Sequence, residues 1–417
     1  MPKLFVDITP LRRFPDFRRL WLGYALRQLG AQLTVTTVIY QIYAITHSNL
    51  DVGLLSLAQL GPSIVAPILG GSLADAIDRR FVLLATAVLL ALCTIGLALN
   101  TSGGHAKLWP LFVLSSASWG LAGIDGPTRS AVQITLVDRD SIVSANALRQ
   151  LLQQLSLVAG PAIAGLLIAA LHRHLAWVYW IDVISTVAAL QAVLRLPPLP
   201  PAGGGRKFGL SSIMEGFQFL RGRQVIQACF IADLNATILG MPTALFPFMA
   251  TQHFHGGAQT YGLLTAAPGA GAMLGSLLSG WTGTVKRQGL AVLIAIAVWG
   301  VALAGFGLTA SLALALVLLG VAGWADMVSA TFRNSIIQSA IPDRLRGRLS
   351  AIQTAVVQSG PRLGNTEAGV VAALSSAPIA VVTGGLGCVL GVVLLARFMP
   401  RFAQYRPDDS EFALQES

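Results

Sequence analysis

Long apolar segments separated by short polar ones are the dominant pattern of this 417-residue chain. In residues 50–74 and 81–101, for example, apolar residues fill a continuous block and do not alternate with polar ones. A helix needs about 20 apolar residues to cross the roughly 30 Å of hydrocarbon in a bilayer. Transmembrane strands would instead give segments of about ten residues with alternating polarity, and the chain does not show them. The pattern therefore predicts a helical membrane protein.

Twelve segments of this kind follow one another along the chain, which predicts an all-α polytopic fold. The predicted spans are 20–46, 50–74, 81–101, 108–137, 142–171, 174–196, 225–251, 258–281, 289–309, 311–339, 349–375 and 377–398. We expect no cleaved signal peptide, because the first apolar run is long enough to stay in the membrane.

Composition and charge fit this interpretation. Charged residues make up 11% of the chain, against about 25% in an average soluble protein. The net charge of +10 could indicate a nucleic-acid partner, but most of the 28 Lys and Arg fall in segments on one side of the predicted membrane. Such an asymmetry predicts that this side, with both termini, is cytoplasmic. The three cysteines lie within spans and are expected to be small core residues: Cys93, Cys229 and Cys388.

The segment between spans 6 and 7 divides the chain in two. It begins as a Pro-Gly linker, LPPLPPAGGG, and continues with apolar residues at helical spacing flanked by basic ones. This predicts a short amphipathic helix on the inner membrane surface. The apolar positions are Leu210, Ile213, Met214, Phe217 and Leu220. The expected domains are an N-terminal six-helix bundle at 1–196, a linker at 197–224, a C-terminal six-helix bundle at 225–398 and a tail at 399–417.

The two halves share internal matches in near register. The matched pairs, at offsets of 204 or 200 residues, are Gly71 with Gly275, Arg129 with Arg333, and Gly160-Pro161 with Gly360-Pro361. Together with the matching order of spans, they predict a duplicated six-helix unit. Paired halves are a recurring plan of secondary transporters.

The stretch GGSLADAIDRR (70–80) places four charges in six residues between two apolar spans. It resembles the signature that the major facilitator superfamily carries between its second and third spans, although Asp78 stands where that family usually has glycine. The matching positions are Gly71, Leu73, Ala74, Asp75, Arg79 and Arg80. The resemblance extends over essentially the whole chain. It implies two pseudo-symmetric six-helix bundles around a central cavity lined by spans 1, 4, 7 and 10.

Two further resemblances concern direction and cargo. Gly160, Pro161 and Gly165 in span 5 are similar to the antiporter motif of the superfamily, which implies export, although Ala164 replaces one glycine. The passages HSNLDVGL, LPPLPP, GFQFL and IPDRLRGRLSAIQ resemble the enterobactin-exporter branch. Related macrolide and multidrug efflux proteins share several of these passages, so both kinds of cargo stay open here.

The resemblance also implies a role for Asp75 at the inner face. There it would contact the other half near the start of span 11, where the unpaired N–H groups of a helix favour a carboxylate. Such a contact would hold the cytoplasmic side shut. Arg79 and Arg80 would anchor the short loop to the inner face. The alternative is that Asp75 is a solvated loop residue.

Charged residues inside the predicted spans are the strongest functional signal. They are Arg27, Asp125, Arg129, Asp182, Asp233, Asp326, Arg333, Arg362 and Glu367. A charge near the bilayer centre costs several kcal/mol, so each is expected to face a partner, a cavity or water. Asp125 and Arg129, four residues apart, are predicted to pair directly. Arg27 and Asp233 enter the membrane to similar depth and are plausible partners across the two halves.

These charges have two possible uses beyond structural ion pairs that only fix helix packing. A carboxylate can carry a proton if its surroundings alternate between wet and dry; the candidates are Asp233, Asp326, Glu367 and Asp125. Arginine stays protonated and suits an anionic cargo. The candidates for contact with the cargo in the cavity are Arg27, Arg129, Arg333 and Trp324.

Motifs of catalysis are missing from the sequence. It has no G-x-x-x-x-G-K-[ST], no H-E-x-x-H, no Cys-x-x-Cys and no loop large enough for a catalytic domain. We therefore expect no enzyme activity, no cofactor, no metal site and no nucleic-acid partner. The predicted protein is a monomeric exporter in the bacterial cytoplasmic (inner) membrane, with a small molecule, protons and the lipid bilayer as its partners. The cargo is expected to be a siderophore of enterobactin type, moved by proton antiport with alternating access. The alternative is a multidrug or macrolide efflux pump of the same superfamily.

Overall fold

The computed structural model describes residues 7–171, 174–197, 199, 220, 222–340 and 346–406. Within these residues the fold is all-α, as predicted. Twelve long helices follow the predicted spans: α1 (Pro15–Thr46), α2 (Asn49–Ala76), α3 (Arg79–Ser102), α4 (Leu108–Thr135), α5 (Ile142–Leu171), α6 (Ala176–Leu194), α7 (Gln224–Leu239), α8 (Gly257–Leu277), α9 (Gln288–Leu308), α10 (Leu312–Ala340), α11 (Arg346–Leu374) and α12 (Ala377–Phe398). Short helices Thr9–Arg13 and Pro400–Gln404 flank them.

Eight stretches among the described residues are long and apolar enough to cross a membrane by length and composition alone. They correspond to α2, α3, α5, α6, α9, α10, α12 and the stretch from α7 to residue 253. Helices α1, α4 and α11 carry several of the charged side chains that mark the predicted spans. Five of the nine charged residues in the predicted spans therefore lie in helices outside these eight stretches: Arg27, Asp125, Arg129, Arg362 and Glu367.

Span 7 is not one continuous helix, so the predicted helix over 225–251 is wrong at its centre. Helix α7 ends at Leu239, and a 3-10 turn at Pro242–Leu245 leads into Phe246–Phe248 and a π-helical turn at Met249–His253. The cause is Pro242, which lacks an N–H and disfavours the α conformation of the residue before it.

The backbone groups freed by this break have side-chain partners on two other helices. The Trp299 Nε1 on α9 donates to the Gly240 carbonyl at 2.9 Å. The Oδ1 of Asn365 on α11 accepts from the Ala244 N–H at 2.8 Å and from the Thr243 hydroxyl at 2.7 Å. Because unpaired backbone groups are costly in lipid, these side chains allow the helix to be broken at this depth.

The helices gather into two compact units. Unit 1 takes the described residues of Met1–His47, Gly61–Lys207 and Gly256–Ala266, and unit 2 takes those of Ser48–Leu60, Phe208–His255 and Ala267–Ser417. In unit 1, α6 packs against α1 and α3. In unit 2, α9 packs against α10 and α12.

Two predicted features fall outside the described residues. The amphipathic helix between spans 6 and 7 is one of them, although Leu220 at its end is described and buried in the core of unit 2 with Val225 and Ile226. The other is the loop after span 10, which holds Pro342, Asp343 and Arg344 of the passage IPDRLRGRLSAIQ. The predicted domain boundaries stay predictions.

Candidate functional site

Three buried side chains of unit 1 form what we call the arginine cluster: Arg27 on α1 with Asp125 and Arg129 on α4. The Nη2 of Arg27 donates to the Asp125 Oδ2 at 2.9 Å. Arg129 binds the same carboxylate with two hydrogen bonds, from Nε to Oδ2 at 3.0 Å and from Nη2 to Oδ1 at 2.9 Å. Asp125 is 1% exposed. The predicted pairing of Asp125 with Arg129 is confirmed.

An aromatic ring lies close to both guanidinium groups of the arginine cluster. The ring of Tyr24, one turn before Arg27 on α1, lies 5.8 Å from the Arg27 guanidinium carbon and 5.4 Å from that of Arg129. An aromatic face near a desolvated cation attracts it. With two guanidinium groups and one carboxylate, the cluster carries one uncompensated positive charge. Such a site suits an anion, because charge-assisted hydrogen bonds to arginine are strong and can be bidentate.

The second buried ion pair lies in unit 2 and joins α7 to α10. The Arg333 Nη2 lies 2.6 Å from the Asp233 Oδ1, and the Arg333 Nη1 donates to the Ser329 hydroxyl at 2.9 Å. Asp326, also on α10, is partly buried and lies seven residues before Arg333 on the same helix. These three charged residues, with Ser329, form what we call the C-terminal cluster.

The predicted pairing of Arg27 with Asp233 is wrong. Each residue has its ion-pair partner inside its own unit, Asp125 for Arg27 and Arg333 for Asp233. Equal depth along two helices does not fix which way the side chains point. Arg27 and Asp233 each pair instead with a residue on a neighbouring helix of the same unit.

Glu367 and Trp324 occupy different surroundings. Glu367 on α11 is partly exposed, and the described residues include no ion pair to it. Trp324 on α10 packs against the core of unit 2 and faces Gly275 on α8. Their assignments as proton carrier and cargo contact stay predictions.

The GGSLADAIDRR segment spans the end of α2 and the start of α3. Asp78 is the N-cap of α3, with its Oδ1 accepting from the Arg80 N–H at 2.8 Å, and its φ of −53° explains why glycine is not needed there. The Arg80 Nη2 donates to the Leu194 carbonyl at the end of α6 at 2.6 Å, and Arg79 is buried. Space is open around Gly71. The Asp75 side chain lies outside the described part of the structure, so its predicted gate role stays a prediction.

The three residues of the antiporter motif lie inside α5, which continues through Pro161. Gly160 faces Gln32 on α1 at a distance that leaves no room for a side chain. Gly165 packs backbone to backbone against Gly262, since a Cβ on Gly165 would lie 2.7 Å from the Gly262 Cα. Small residues allow such close helix contacts in membranes.

Sequence reasoning missed three contributors to these sites. Tyr24 carries no charge and gave no signal. Ser329 lies 204 residues after Asp125, the offset that relates Arg129 to Arg333, so the repeat could have indicated it. Asn365, which holds the broken span 7, could not be recognised without the fold. As for metals, the described residues bring together no group of three His, Cys, Asp or Glu side chains that could hold one.

Comparison with known proteins gives a consistent result. Residues 6–412 match the family described as transmembrane secretion effector. Enterobactin exporters of Shigella boydii serotype 18 and of Escherichia coli are each 28% identical over 412 residues, which cover 99% of this chain and 98% of each relative.

Solved transporter structures share the fold at low sequence identity. The nucleoside transporter NupG superposes with a TM-score of 0.74 at 12% identity, and the match covers 94% of this chain and 100% of the NupG chain. A bacterial homologue of the iron transporter ferroportin, in an inward-facing state, gives a TM-score of 0.69 at 16% identity, covering 94% and 99% of the two chains. The chain belongs to the transmembrane secretion effector family of the major facilitator superfamily, whose members are secondary transporters.

Proposed function

We propose that this protein exports an anionic, aromatic siderophore of the enterobactin type by proton antiport with alternating access. It would do so as a monomer in the bacterial cytoplasmic membrane, with both termini in the cytoplasm. The observation that carries the proposal is the arginine cluster, where two buried guanidinium groups share one carboxylate.

The physical argument concerns desolvation of the cargo. An acidic catechol loses its hydration when it enters a protein, and charge-assisted hydrogen bonds must replace it. Arg27 and Arg129 stay charged at any physiological pH. Their helices, α1 and α4, are those that the resemblance assigns to the central cavity. The relatives named as enterobactin exporters support the same class of cargo.

We assign proton coupling to the other half of the chain. Asp233 is paired with Arg333, and Asp326 lies seven residues before Arg333 on the same helix, α10. A proton bound to Asp233 would free the Arg333 guanidinium to turn toward Asp326, which would give two states for alternating access. Glu367 and Asp125 are the remaining candidates.

The test of cargo is growth under iron limitation. A strain lacking the gene is complemented with the wild type, Arg27→Gln or Arg129→Gln, and secreted siderophore and drug susceptibility are measured together. Losing a charge-assisted hydrogen bond, about 1.5–3 kcal/mol, should reduce cargo affinity about tenfold or more. Arg13→Gln is the matched control, because the ion pair of Arg13 with Asp138 is exposed and contributes little.

The outcome that contradicts this proposal is specific. Normal siderophore secretion by the deletion strain, with heightened sensitivity to macrolides or dyes, would instead support multidrug or macrolide efflux. In that case Arg27→Gln should leave the efflux of a neutral or cationic drug unchanged, because such a drug needs no positive charge in the site.

A further inference from the structure

Asp182 on α6 is a buried carboxyl group to which the proposed function gives no role. It is 4% exposed, and the ion pairs among the described residues do not include it. Four hydroxyl groups lie around its two oxygens: Thr34 at 2.6 Å and Thr94 at 3.4 Å from Oδ2, and Ser185 at 3.2 Å and Thr186 at 3.4 Å from Oδ1. Where the protons of these hydroxyls point indicates whether the carboxyl group is ionised, because a buried carboxylate needs donors for its lone pairs.

Two of the four hydroxyls give their proton to a main-chain carbonyl. A hydroxyl group has a single proton to donate. The Thr94 hydroxyl donates to the Leu90 carbonyl at 3.0 Å. The Ser185 hydroxyl donates to the main-chain carbonyl of Asp182 at 2.8 Å. Both distances are shorter than those to the carboxyl oxygens, so Thr94 and Ser185 turn lone pairs toward the carboxyl group, and lone pairs repel a carboxylate.

A protonated Asp182 satisfies this arrangement. A proton on Oδ1 is donated to the Ser185 Oγ at 3.2 Å, while Oδ2 accepts from the Thr34 hydroxyl at 2.6 Å. An ionised carboxylate would keep two donors, Thr34 and, at 3.4 Å, Thr186. A buried carboxylate with so few donors is costly, and binding a proton removes that cost.

The groups on the neighbouring helices supply no counter-ion of its own to Asp182. Helix α6 packs against α1 and α3. Arg27 on α1 is the charged residue that acts on Asp182, and its positive charge attracts a carboxylate, but its guanidinium already binds Asp125. The contacts from α3 and from α6 itself come from hydroxyls. The Tyr179 hydroxyl, one turn before Asp182, donates to Gln41.

The carboxyl group is enclosed because α1 touches α6 at this point. A Cβ on Gly30 would collide with the Asp182 carboxyl group and with the Ser185 hydroxyl, so the backbone of α1 covers the bond between them. Thr34, on the same helix, supplies the donor to Oδ2. Movement of α1 away from α6 would remove this donor and admit water, which favours the ionised form of a carboxyl group.

We propose that Asp182 is a proton-binding site of unit 1. Its carboxyl group holds a proton while α1 packs on α6 and releases it when the two helices separate during transport. The O–H bond then breaks, the proton passes to water, and the electron pair stays on the carboxylate. Asp182 is thus a proton carrier in addition to the C-terminal cluster. The release step rests on the proposed function, because it takes proton antiport as the driving process, whereas the bound proton does not depend on it.

The bound proton is tested by infrared spectroscopy of the purified full-length protein in detergent at neutral pH. A protonated carboxyl group has a C=O stretching band that a carboxylate lacks. We expect this band in the wild type and its loss in Asp182→Asn. Asp16→Asn is the matched control and should leave the band unchanged, because Asp16 is exposed and pairs with Arg19.

A second variant tests the hydrogen bond to the carboxyl group, even if Asp182→Asn folds poorly. Thr34→Val removes the donor to Oδ2. A hydrogen bond to a carbonyl oxygen weakens the C=O bond, so the band should move to higher frequency in this variant. Thr37→Val is the control and should not move it, since the Thr37 hydroxyl on the same helix is buried but donates to the Leu33 carbonyl.

The release of the proton is tested by siderophore secretion under iron limitation. Asp182→Asn has no carboxyl proton to exchange, so secretion should fall about tenfold or more at equal expression, at least as much as is typical for loss of a group that transfers a proton. Asp16→Asn should secrete at the normal rate.

The same C=O band in wild type and folded Asp182→Asn, or no shift of the band in folded Thr34→Val, would overturn the proposal. Normal secretion by Asp182→Asn would overturn the release step and leave a permanently bound proton. The proposed function fails separately, if Arg27→Gln and Arg129→Gln leave secretion intact or an uncoupler has no effect on the wild type. In that case the infrared band still decides whether Asp182 holds a proton.

Discussion

The arginine cluster and the C-terminal cluster occupy corresponding places in the two halves of the sequence repeat, yet their arginines are paired with carboxylates in different ways. Arg129 and Arg333 correspond at an offset of 204. Four residues before Arg129 stands Asp125, which binds it directly, and four residues before Arg333 stands Ser329. The carboxylate for Arg333 comes from another helix, as Asp233 on α7.

The comparison distinguishes the charged residue that both halves share from those that are present in only one half. An arginine held at the fourth helix of each half is common to both. Arg27 adds a positive charge to the first half, whereas Asp326 adds a carboxylate to the second. We propose that these added charges account for anion binding in one half and proton binding in the other.

The largest expected effect is on the first half. Asp125→Asn leaves two buried guanidinium groups without their shared carboxylate, and breaking a buried ion pair costs about 3–5 kcal/mol. We expect a value near the upper end, measured as the loss of unfolding free energy in detergent. Ser329→Ala is the corresponding change in the second half and should cost about 1–2 kcal/mol. Equal effects of the two changes would remove the distinction between the halves.

In the second half, the carboxylate that pairs with Arg333 can be moved from α7 to α10 by substitution. Asp233→Asn should lower the unfolding free energy by about 3 kcal/mol, because one guanidinium loses its carboxylate. Adding Ser329→Asp places a carboxylate four residues before Arg333, as in the first half, and should restore most of the stability.

The same variants test proton coupling. Asp233→Asn should abolish uphill efflux yet spare exchange of cargo, which needs no net proton movement, and Ser329→Asp should not restore efflux. Asp326→Asn and Glu367→Gln are measured beside it in vesicles with an imposed proton gradient. If all three single variants pump uphill, and an uncoupler has no effect on the wild type, the coupling ion is not the proton.

The loops after the second helix of each half differ as well. Asp75 corresponds to Ser279 at the same offset of 204. If Asp75 holds the inner side shut, Asp75→Asn should slow transport about tenfold, equivalent to about 1.4 kcal/mol in a rate-limiting barrier. Ser279→Ala is the matched control and should leave the rate near that of the wild type. Transport by Asp75→Asn at the normal rate and equal expression would remove the gate role.

The smallest expected effect is at Asp78, whose side chain caps α3. Asp78→Ala should lower the unfolding free energy by about 1 kcal/mol, as is typical for loss of an N-cap. Thr282→Ala, at the corresponding position of the second half, should cost less, because its hydroxyl donates to the Ser279 carbonyl and caps no long helix. A larger loss for Thr282→Ala would contradict this difference.

The sequence allowed the twelve helices to be located because lipid requires long apolar blocks, and the chain has them in series. It also predicted the bond between Asp125 and Arg129, which depends only on helical spacing. It did not predict the partner of Arg27, because that depends on how α1 and α4 are rotated about their axes. The break in span 7 was not predicted, although Pro242 stands in the sequence at that point, and the side chains that make the break tolerable, Trp299 and Asn365, come from distant parts of the chain.

The make-up of unit 1 has a consequence for biosynthesis. Its last piece, Gly256–Ala266, is translated after the whole first half and all of span 7. In that piece Gly262 packs on Gly165, and the Tyr261 hydroxyl donates to the Thr36 carbonyl at 3.1 Å. A nascent chain that has inserted only six helices therefore still exposes these surfaces to lipid or to the insertion machinery. We therefore expect unit 1 to complete these contacts only after residue 266 has been translated, and a chain that ends in the linker to lack them.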